Sequence, residues 1–388
     1  MDEFAAAAGY HRKYATHLLV HGPPNRSKTK RGRPLTYGPD VVAAPAQVWE
    51  VSGHLCGKRL QPNLVWMGGH LAQHGELEIA PSTMEKLSRI SVSTVRRLLK
   101  NLQKDQPRLP RKGPEQANRF AREVPTKRIP RNEQQPGHFE VDLVHHSGIS
   151  PSGQYVHTLQ MVDVATGWSE RIALLGRSYR VMQDGFERIQ ARLPFPILEL
   201  HPDNDAAFFN NFLMRFWGNQ LSRPYQKNDN RFVEQKNDTL VRAYVGDDRL
   251  DTVAQTNLVN QLYQRMWLYY NFFQPVMRLQ EKTMVAVNAG RSRTRRRYDP
   301  ARTPFDRLCD TDAVSESGKG QLKALRNATN PRQLREVIYD LLDQLRKLPA
   351  AQPGQTEDVH QTLFAAPRLK EAEDSPVTLS LERTVPVG

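Results

Sequence analysis

His138-Phe139-Glu140-Val141-Asp142-Leu143-Val144 is the stretch that decides the fold. Phe139, Val141 and Leu143 point one way; Glu140, Asp142 and Val144 point the other, which is the two-residue period of a strand. The chain places two more acids in equally patterned surroundings. Asp203 ends Ile197-Leu198-Glu199-Leu200-His201-Pro202-Asp203-Asn204, and Glu234 lies in Asn230-Arg231-Phe232-Val233-Glu234-Gln235-Lys236-Asn237.

Working outward, Tyr155–Val164 reads as a second strand. Ala165-Thr166-Gly167 is a turn and Trp168–Leu174 a third strand, so the region opens as an antiparallel meander. Ser178 can cap a helix carrying Val181, Met182, Phe186, Ile189 and Leu193 on one face. Residues 196–201 form a short buried strand. A further helix with Phe208, Phe212, Leu213, Phe216 and Trp217 inward stops at Gly218. A brief strand near Leu221–Gln226 and the turn Lys227–Asn230 then lead to Glu234 at a helix start. This alternation predicts a mixed α/β layered domain. Asp142 comes from its first strand, Asp203 from just past the carboxyl end of a neighbouring one, and Glu234 from a helix.

The chain has 388 residues and a formal net charge of +14. Such an excess fits a polyanionic partner, nucleic acid first and a membrane surface second. No run approaches the roughly 18 apolar residues of a membrane span, and the acidic start Met1-Asp2-Glu3-Phe4 is no secretory signal, so a soluble intracellular protein is expected. Cys56 and Cys309 are too few for a disulfide framework or a cysteine-rich zinc site. His11, His17, His54, His70 and His74 read as ordinary surface or core residues.

The flanks are basic and helical. Residues 1–25 suggest two short helices broken at Gly9-Tyr10, with Tyr14, Ala15, Leu18 and Leu19 on one face. This fits a helix-turn-helix or a ligand-free helical hairpin. A basic linker, 26–39, contains Arg31-Gly32-Arg33-Pro34, which has the form of an AT-hook core, or else serves as a solvated linker. Residues 40–104 form a helical domain. Within it Ser82 with Glu85 has capping-box spacing, and Ser91 can cap a second helix carrying Val92, Val95, Leu98 and Leu99 inward. Ser93, Thr94, Arg96, Arg97 and Lys100 are then free to read DNA, or to form a plain basic face. Residues 105–136 are a second linker, rich in Pro, Arg and Lys.

Beyond the strands, Thr252 can cap a long helix with Leu258, Leu262, Met266, Tyr269 and Phe273 in one stripe. Residues 281–349 are a basic C-terminal region. Its run Arg291-Ser292-Arg293-Thr294-Arg295-Arg296-Arg297 could bind phosphates, and the amphipathic helix Leu334–Leu348 offers a face for self-association. Residues 350–388 have the composition of a disordered tail.

From 137 to 280 the order of elements resembles the ribonuclease H-like catalytic core of DDE transposases and retroviral-type integrases, and the flanks fit bacterial insertion-sequence transposases. Pro202-Asp203-Asn204-Asp205-Ala206-Ala207-Phe208 is similar to that family's Ser-Asp-Asn-Gly-x-Glu-Phe, with Asp205 and Ala207 departing from it. Phe232-Val233-Glu234-Gln235-Lys236-Asn237 is similar to Val-Glu-x-x-Asn, and Tyr270-Asn271-Phe272-Phe273-Gln274-Pro275 to Tyr-Asn-x-x-x-Pro. The resemblance implies that Asp142, Asp203 and Glu234 hold two Mg²⁺ ions, replaceable by Mn²⁺. These would drive phosphodiester hydrolysis at element ends and 3′-OH strand transfer into target DNA. It implies double-stranded DNA as partner, at least a dimer on DNA, and a cytoplasmic, nucleoid-associated location in a bacterium. Lys227, Arg231, Lys236 and Arg242 are candidate phosphate contacts, beside Arg295, Arg296 and Arg297. A ribonuclease H-like nuclease without strand transfer, or an inactive transposase-derived DNA-binding regulator, are the alternatives.

Overall fold

A computed structural model describes residues 2–22, 36–100, 102, 133–202, 231–288, 291–352 and 354–363. The chain divides into two compact units, 1–39 and 40–388. In the first, α1 (Asp2–Ala8) and α2 (Arg12–His21) are joined through Gly9. Ala15 is buried and Leu18 half-buried, but Tyr14 and Leu19 are exposed, so the inward face is narrower than the sequence suggests. Arg31 and Arg33 lie outside the described residues.

The second unit is built on a mixed sheet of order β3-β2-β1-β4: β1 (His138–His145), β2 (Val156–Asp163), β3 (Ser169–Leu175) and β4 (Glu199–Pro202). The first three strands pair antiparallel, as expected, and β4 runs parallel to β1. Helix α8 (Tyr179–Arg192) buries Val181, Met182, Phe186 and Ile189 on the sheet face that carries Ile172 and Leu174. Gly185 there brings the helix so close that an added Cβ would meet Leu174 at 3.0 Å. Gly137 fixes the start of β4. Its φ is +116°, its carbonyl accepts from the Leu198 and Glu199 amides, and a Cβ would lie 2.8 Å from the Pro196 oxygen. Any side chain there would push β4 off β1.

The other face carries Glu140, Asp142, Gln160 and Arg171, and is covered by two helical segments. The first, α9 (Arg231–Lys236), continues through a π-helical stretch, Asn237–Arg242, into a last turn, Ala243–Val245. The second, α10 (Val253–Phe272), starts with a reciprocal capping box between Thr252 and Gln255. Of its expected stripe, Leu262, Met266, Tyr269 and Phe273 are buried and Leu258 is half-buried, and Tyr263 Oη bonds Thr158 Oγ1 at 2.7 Å.

Two asparagines of α10 close the outer edge of β3. Asn260 accepts from the Ala173 amide (2.8 Å) and donates to the Ala173 carbonyl (2.9 Å). Asn271 does the same for Ser169, at 2.9 and 3.1 Å. Each amide side chain thus imitates a missing neighbouring strand, satisfying buried backbone groups that would otherwise lack partners. Asn271 belongs to the Tyr270-Asn271…Pro275 motif, whose Pro275 carbonyl accepts from Arg59 Nε at 2.6 Å.

Arg59 comes from α4 (Gly57–Leu60), in a helical region that also holds α3 (Pro39–Val51), α5 (Leu64–Gln73), α6 (Pro81–Ser88) and α7 (Val92–Leu99). These helices belong to the same compact unit as the sheet. Tyr269 Oη donates to the Val51 carbonyl (2.6 Å) and Gln274 to the Ser52 carbonyl (2.8 Å). His70 and His74 bond the carbonyls of Thr329 and Asn327, so both are structural. Helix α6 is capped at Ala80 rather than Ser82, because Pro81 takes the first helical position. Ser91 caps α7 as expected.

Beyond α10, an antiparallel ribbon β5 (Leu279–Asn288) and β6 (Arg291–Tyr298) carries the arginine run. It precedes α11 (Pro304–Cys309), α12 (Glu316–Ala328) and α13 (Pro331–Leu345). The apolar stripe of α13, Leu334, Ile338, Leu341, Leu342 and Leu345, is buried within the chain, where α13 packs on α10. That face is spent in the fold and is not open for self-association. Residues 350–363 differ from the tail that composition suggests. The Ala351 amide donates to Asp251 Oδ1 (2.8 Å) and the Val253 amide to Glu357 Oε2 (2.9 Å), laying the segment on the core. No helix among the described residues is long and apolar enough to cross a membrane.

Replacing Asn271 by Ala strands two buried backbone groups of β3, each worth about 1–3 kcal/mol. Urea denaturation of the variant is expected to show a loss on the order of 3 kcal/mol, and a loss below about 0.5 kcal/mol would contradict the edge-closing role.

Candidate functional site

β1 places Glu140 and Asp142 on one face, and both side chains engage α9 and its continuation. Glu140 is buried, and its Oε2 accepts from the Val233 amide at 2.9 Å. Half-buried Asp142 accepts from the Leu143 amide through Oδ1 (2.8 Å), while its Oδ2 receives a very short hydrogen bond from Asn237 Nδ2. Asn237 opens the π-helical stretch. Such widened turns interrupt helices where a side chain must be re-aimed, often at functional positions. Glu234 precedes Asn237 by three residues, the spacing of neighbours on one helix face, and is exposed.

Asp203 lies outside the described residues, as do Lys227 and the predicted elements between 204 and 230. The strand that leads to it is described. In the parallel register Val141 pairs with Pro202, one residue before Asp142 and Asp203 respectively.

Behind Asp142 the sheet is cationic. Asp142, Gln160 and Arg171 occupy successive positions across β1, β2 and β3. Burial pushes the Arg171 guanidinium down to about 10. Its Nη2 donates to Ser169 Oγ (2.7 Å), and its carbon centre stands 5.5 Å from the Tyr270 ring and 6.0 Å from the Tyr263 ring, a cation–π cradle. Lys236 joins this group. Desolvation, with the cations of Arg59, Arg171 and Arg278 beside it, pushes its ammonium down to about 7. Lys236 is thus half-buried among other cations, whereas the sequence suggests a phosphate contact.

The remaining candidates are more open. Arg242 is about half exposed and 3.8 Å from Asp238, and the backbone of Arg231 opens α9. On α7, Ser93, Arg96, Arg97 and Lys100 are exposed, and Thr94 is half-buried. Arg295, Arg296 and Arg297 are exposed on β6. The ribbon is a form that sequence reading missed, since an arginine run has no apolar alternation to reveal a strand.

A second cluster was also hidden. His138 on β1 pairs directly with Glu199 on β4, and His201 follows two residues on. One ligand atom from each lies within 4.8 Å of the others, a group able to hold a metal ion. By contrast, buried Glu170 on the opposite face is saturated by Trp168 Nε1 (2.9 Å), Trp267 Nε1 (2.6 Å) and Arg192 Nε (2.7 Å), the signature of a structural acid.

No protein-family profile matches the chain. It is 35% identical over 315 residues to a protein of Sinorhizobium fredii (strain NBRC 101917 / NGR234) described as uncharacterized protein y4rM, a stretch covering 79% of this chain and 88% of that one.

The position of Lys236 sets a pH dependence. The folded chain gives up its proton near pH 7, while the unfolded chain keeps it to about 10.5, so stability rises as pH climbs between those values. Lys236→Met is expected to raise stability at pH 7 and to flatten that rise. Denaturation curves at pH 7 and 9.5 check it, and an unchanged pH profile in the variant would contradict the enclosed position.

Proposed function

We propose that this chain, which belongs to the same family as the uncharacterized protein y4rM of Sinorhizobium fredii, is a DDE-type polynucleotidyl transferase, a transposase or integrase acting on double-stranded DNA. The observation that carries the reading is the bond from Asn237 to Asp142, which joins the helix of the Val-Glu-x-x-Asn segment to the acid at the centre of the first strand. The sheet supports it too. Three antiparallel strands followed by a parallel fourth next to the first is compatible with a ribonuclease H-like core. The register that ends β4 one residue short of Asp203, beside Val141, suits a second carboxylate next to Asp142.

The donor set fits magnesium. Asp142 and the exposed Glu234 offer carboxylate oxygens, the ligands a small hard cation prefers, and Asp203 would add a third. Bound there, Mg²⁺ would supply Lewis-acid stabilisation and an activated oxygen nucleophile. The chain's own residues do the rest. Asn237 fixes the rotamer of Asp142, and Glu140 anchors the α9 amide next to Glu234. The activity is hydrolysis of a phosphodiester at an element end, followed by attack of the freed 3′-OH on target DNA. Both are phosphoryl transfers that need no covalent enzyme intermediate.

DNA would be held by the exposed polar and basic face of α7 and by the β5–β6 ribbon, whose dimensions suit a major groove. Met284, exposed at 73%, would meet the groove beside the arginines. Each phosphate neutralised steepens the salt dependence of binding by about 0.9 in log–log slope.

Asp142→Asn should reduce Mg²⁺-dependent nicking of a plasmid carrying the DNA that flanks the gene by roughly a hundredfold or more, while leaving DNA binding intact. Nicking that persists in the variant would remove Asp142 from the reaction. Replacing Arg295, Arg296 and Arg297 together by Ala should lower the salt slope of binding by up to about 2.7. An unaltered slope in fluorescence anisotropy would place the ribbon off the DNA.

A further inference from the structure

The start of the β1–β4 pair brings together a donor set of different chemistry. Glu199 Oε2 lies 2.9 Å from His138 Nδ1 and 3.3 Å from His201 Nε2. Ligand atoms bound at about 2.0–2.1 Å to a tetrahedral zinc ion stand roughly 3.3 Å apart. Two edges of the triangle are thus near the spacing of such a site, and the third lies within 4.8 Å. His138 and Glu199 are directly paired on adjacent strands, and His201 follows two residues on, at the position that pairs with Glu140.

We propose that His138, Glu199 and His201 form a site for a borderline divalent transition metal, zinc above all, distinct from the oxygen-ligated site of Asp142. Two imidazole nitrogens and one carboxylate suit zinc and its neighbours and disfavour magnesium, which takes oxygen ligands. The two sites cannot share an ion. His138 and Asp142 are four residues apart on one strand, about 13 Å at the usual rise. The side chains of His138, Glu199 and His201 are 20%, 36% and 12% exposed, so the cluster is partly shielded by the fold. Glu133 Oε1 lies 3.8 Å from His138 Nε2, the ring nitrogen turned away from Glu199.

The role that follows is structural. β4 has only four residues, and its ladder to β1 covers four pairs. An ion held by His138 on one strand and by Glu199 and His201 on the other clips that short ladder at its first rung, and so steadies the strand that runs toward Asp203. An imidazole ligates metal only in its neutral form, so uptake should weaken in acid. The proposal does not depend on the catalytic reading.

The test uses the full chain carrying Asp142→Asn, which weakens the oxygen site, titrated with Co²⁺ alone. One equivalent should give the intense visible bands of a tetrahedral ion, abolished by Zn²⁺ and unaffected by excess Mg²⁺. The zinc-loaded chain should melt at a higher temperature than the metal-free chain. Adding His201→Gln should remove both the bands and the shift, with the circular dichroism spectrum unchanged. Should that variant misfold, zinc-edge X-ray absorption on the Asp142→Asn chain reads the ligands directly, with two imidazoles expected. No tetrahedral bands at one equivalent, equal uptake by a folded His201→Gln chain, or a zinc spectrum without two imidazoles would each overturn the site. Loss of metal uptake with intact nicking by the unmodified chain would sink this proposal and spare the catalytic one; the reverse outcome would do the opposite.

Discussion

Glu140 and Asp142 stand at successive same-face positions of β1, and both reach up to one helical segment. The first holds the Val233 amide and the second holds the Asn237 side chain. A carboxylate in a half-buried sheet costs several kcal/mol unless it is bonded, so these two contacts decide where the segment lies. Because the helix is gripped near its start and again at its π-helical opening, Glu234 between them has little freedom of placement. The relation between strand and helix follows from two polar bonds, with apolar packing by Val233, Leu240 and Val241 filling in around them.

The cations of the chain divide into two populations. Some, such as Arg96, Arg97 and Arg295 to Arg297, are exposed and give the protein its basic surface. Others are built into the core. Arg171 rests between tyrosine rings, and Lys236 lies beside it. The net charge of +14 therefore overstates what is available to a polyanion, since part of it is held inside the fold. Desolvation first, and the like-charged neighbours second, hold the Lys236 ammonium below its ordinary value.

Local chemistry and the hairpin pairing of β1 through β3 were legible in the sequence; long-range pairings were not. The alternation of Phe139 to Val144 gives the strand and its faces because a period of two is unaffected by what lies elsewhere. Ser91 and Thr252 announce their helices because a cap bonds within three residues. The stripe on α13 could be read as apolar, but its partner, α10, lies some eighty residues away and could not. Asn260 and Asn271 look like ordinary polar residues of a helix until β3 is set beside them. The metal-ligand group depends wholly on the register of β4 against β1, which no spacing within either strand reveals. The ribbon was missed because its strands carry charge where a strand usually carries alternating apolar residues.

The amide side chains along β3 have an effect at the scale of the whole molecule. A free flank on a sheet is adhesive, and chains brought close together, as they would be on adjoining stretches of one polymer, can fuse through it. Here that flank is already occupied from within. The β3 side therefore cannot seed a growing intermolecular ribbon.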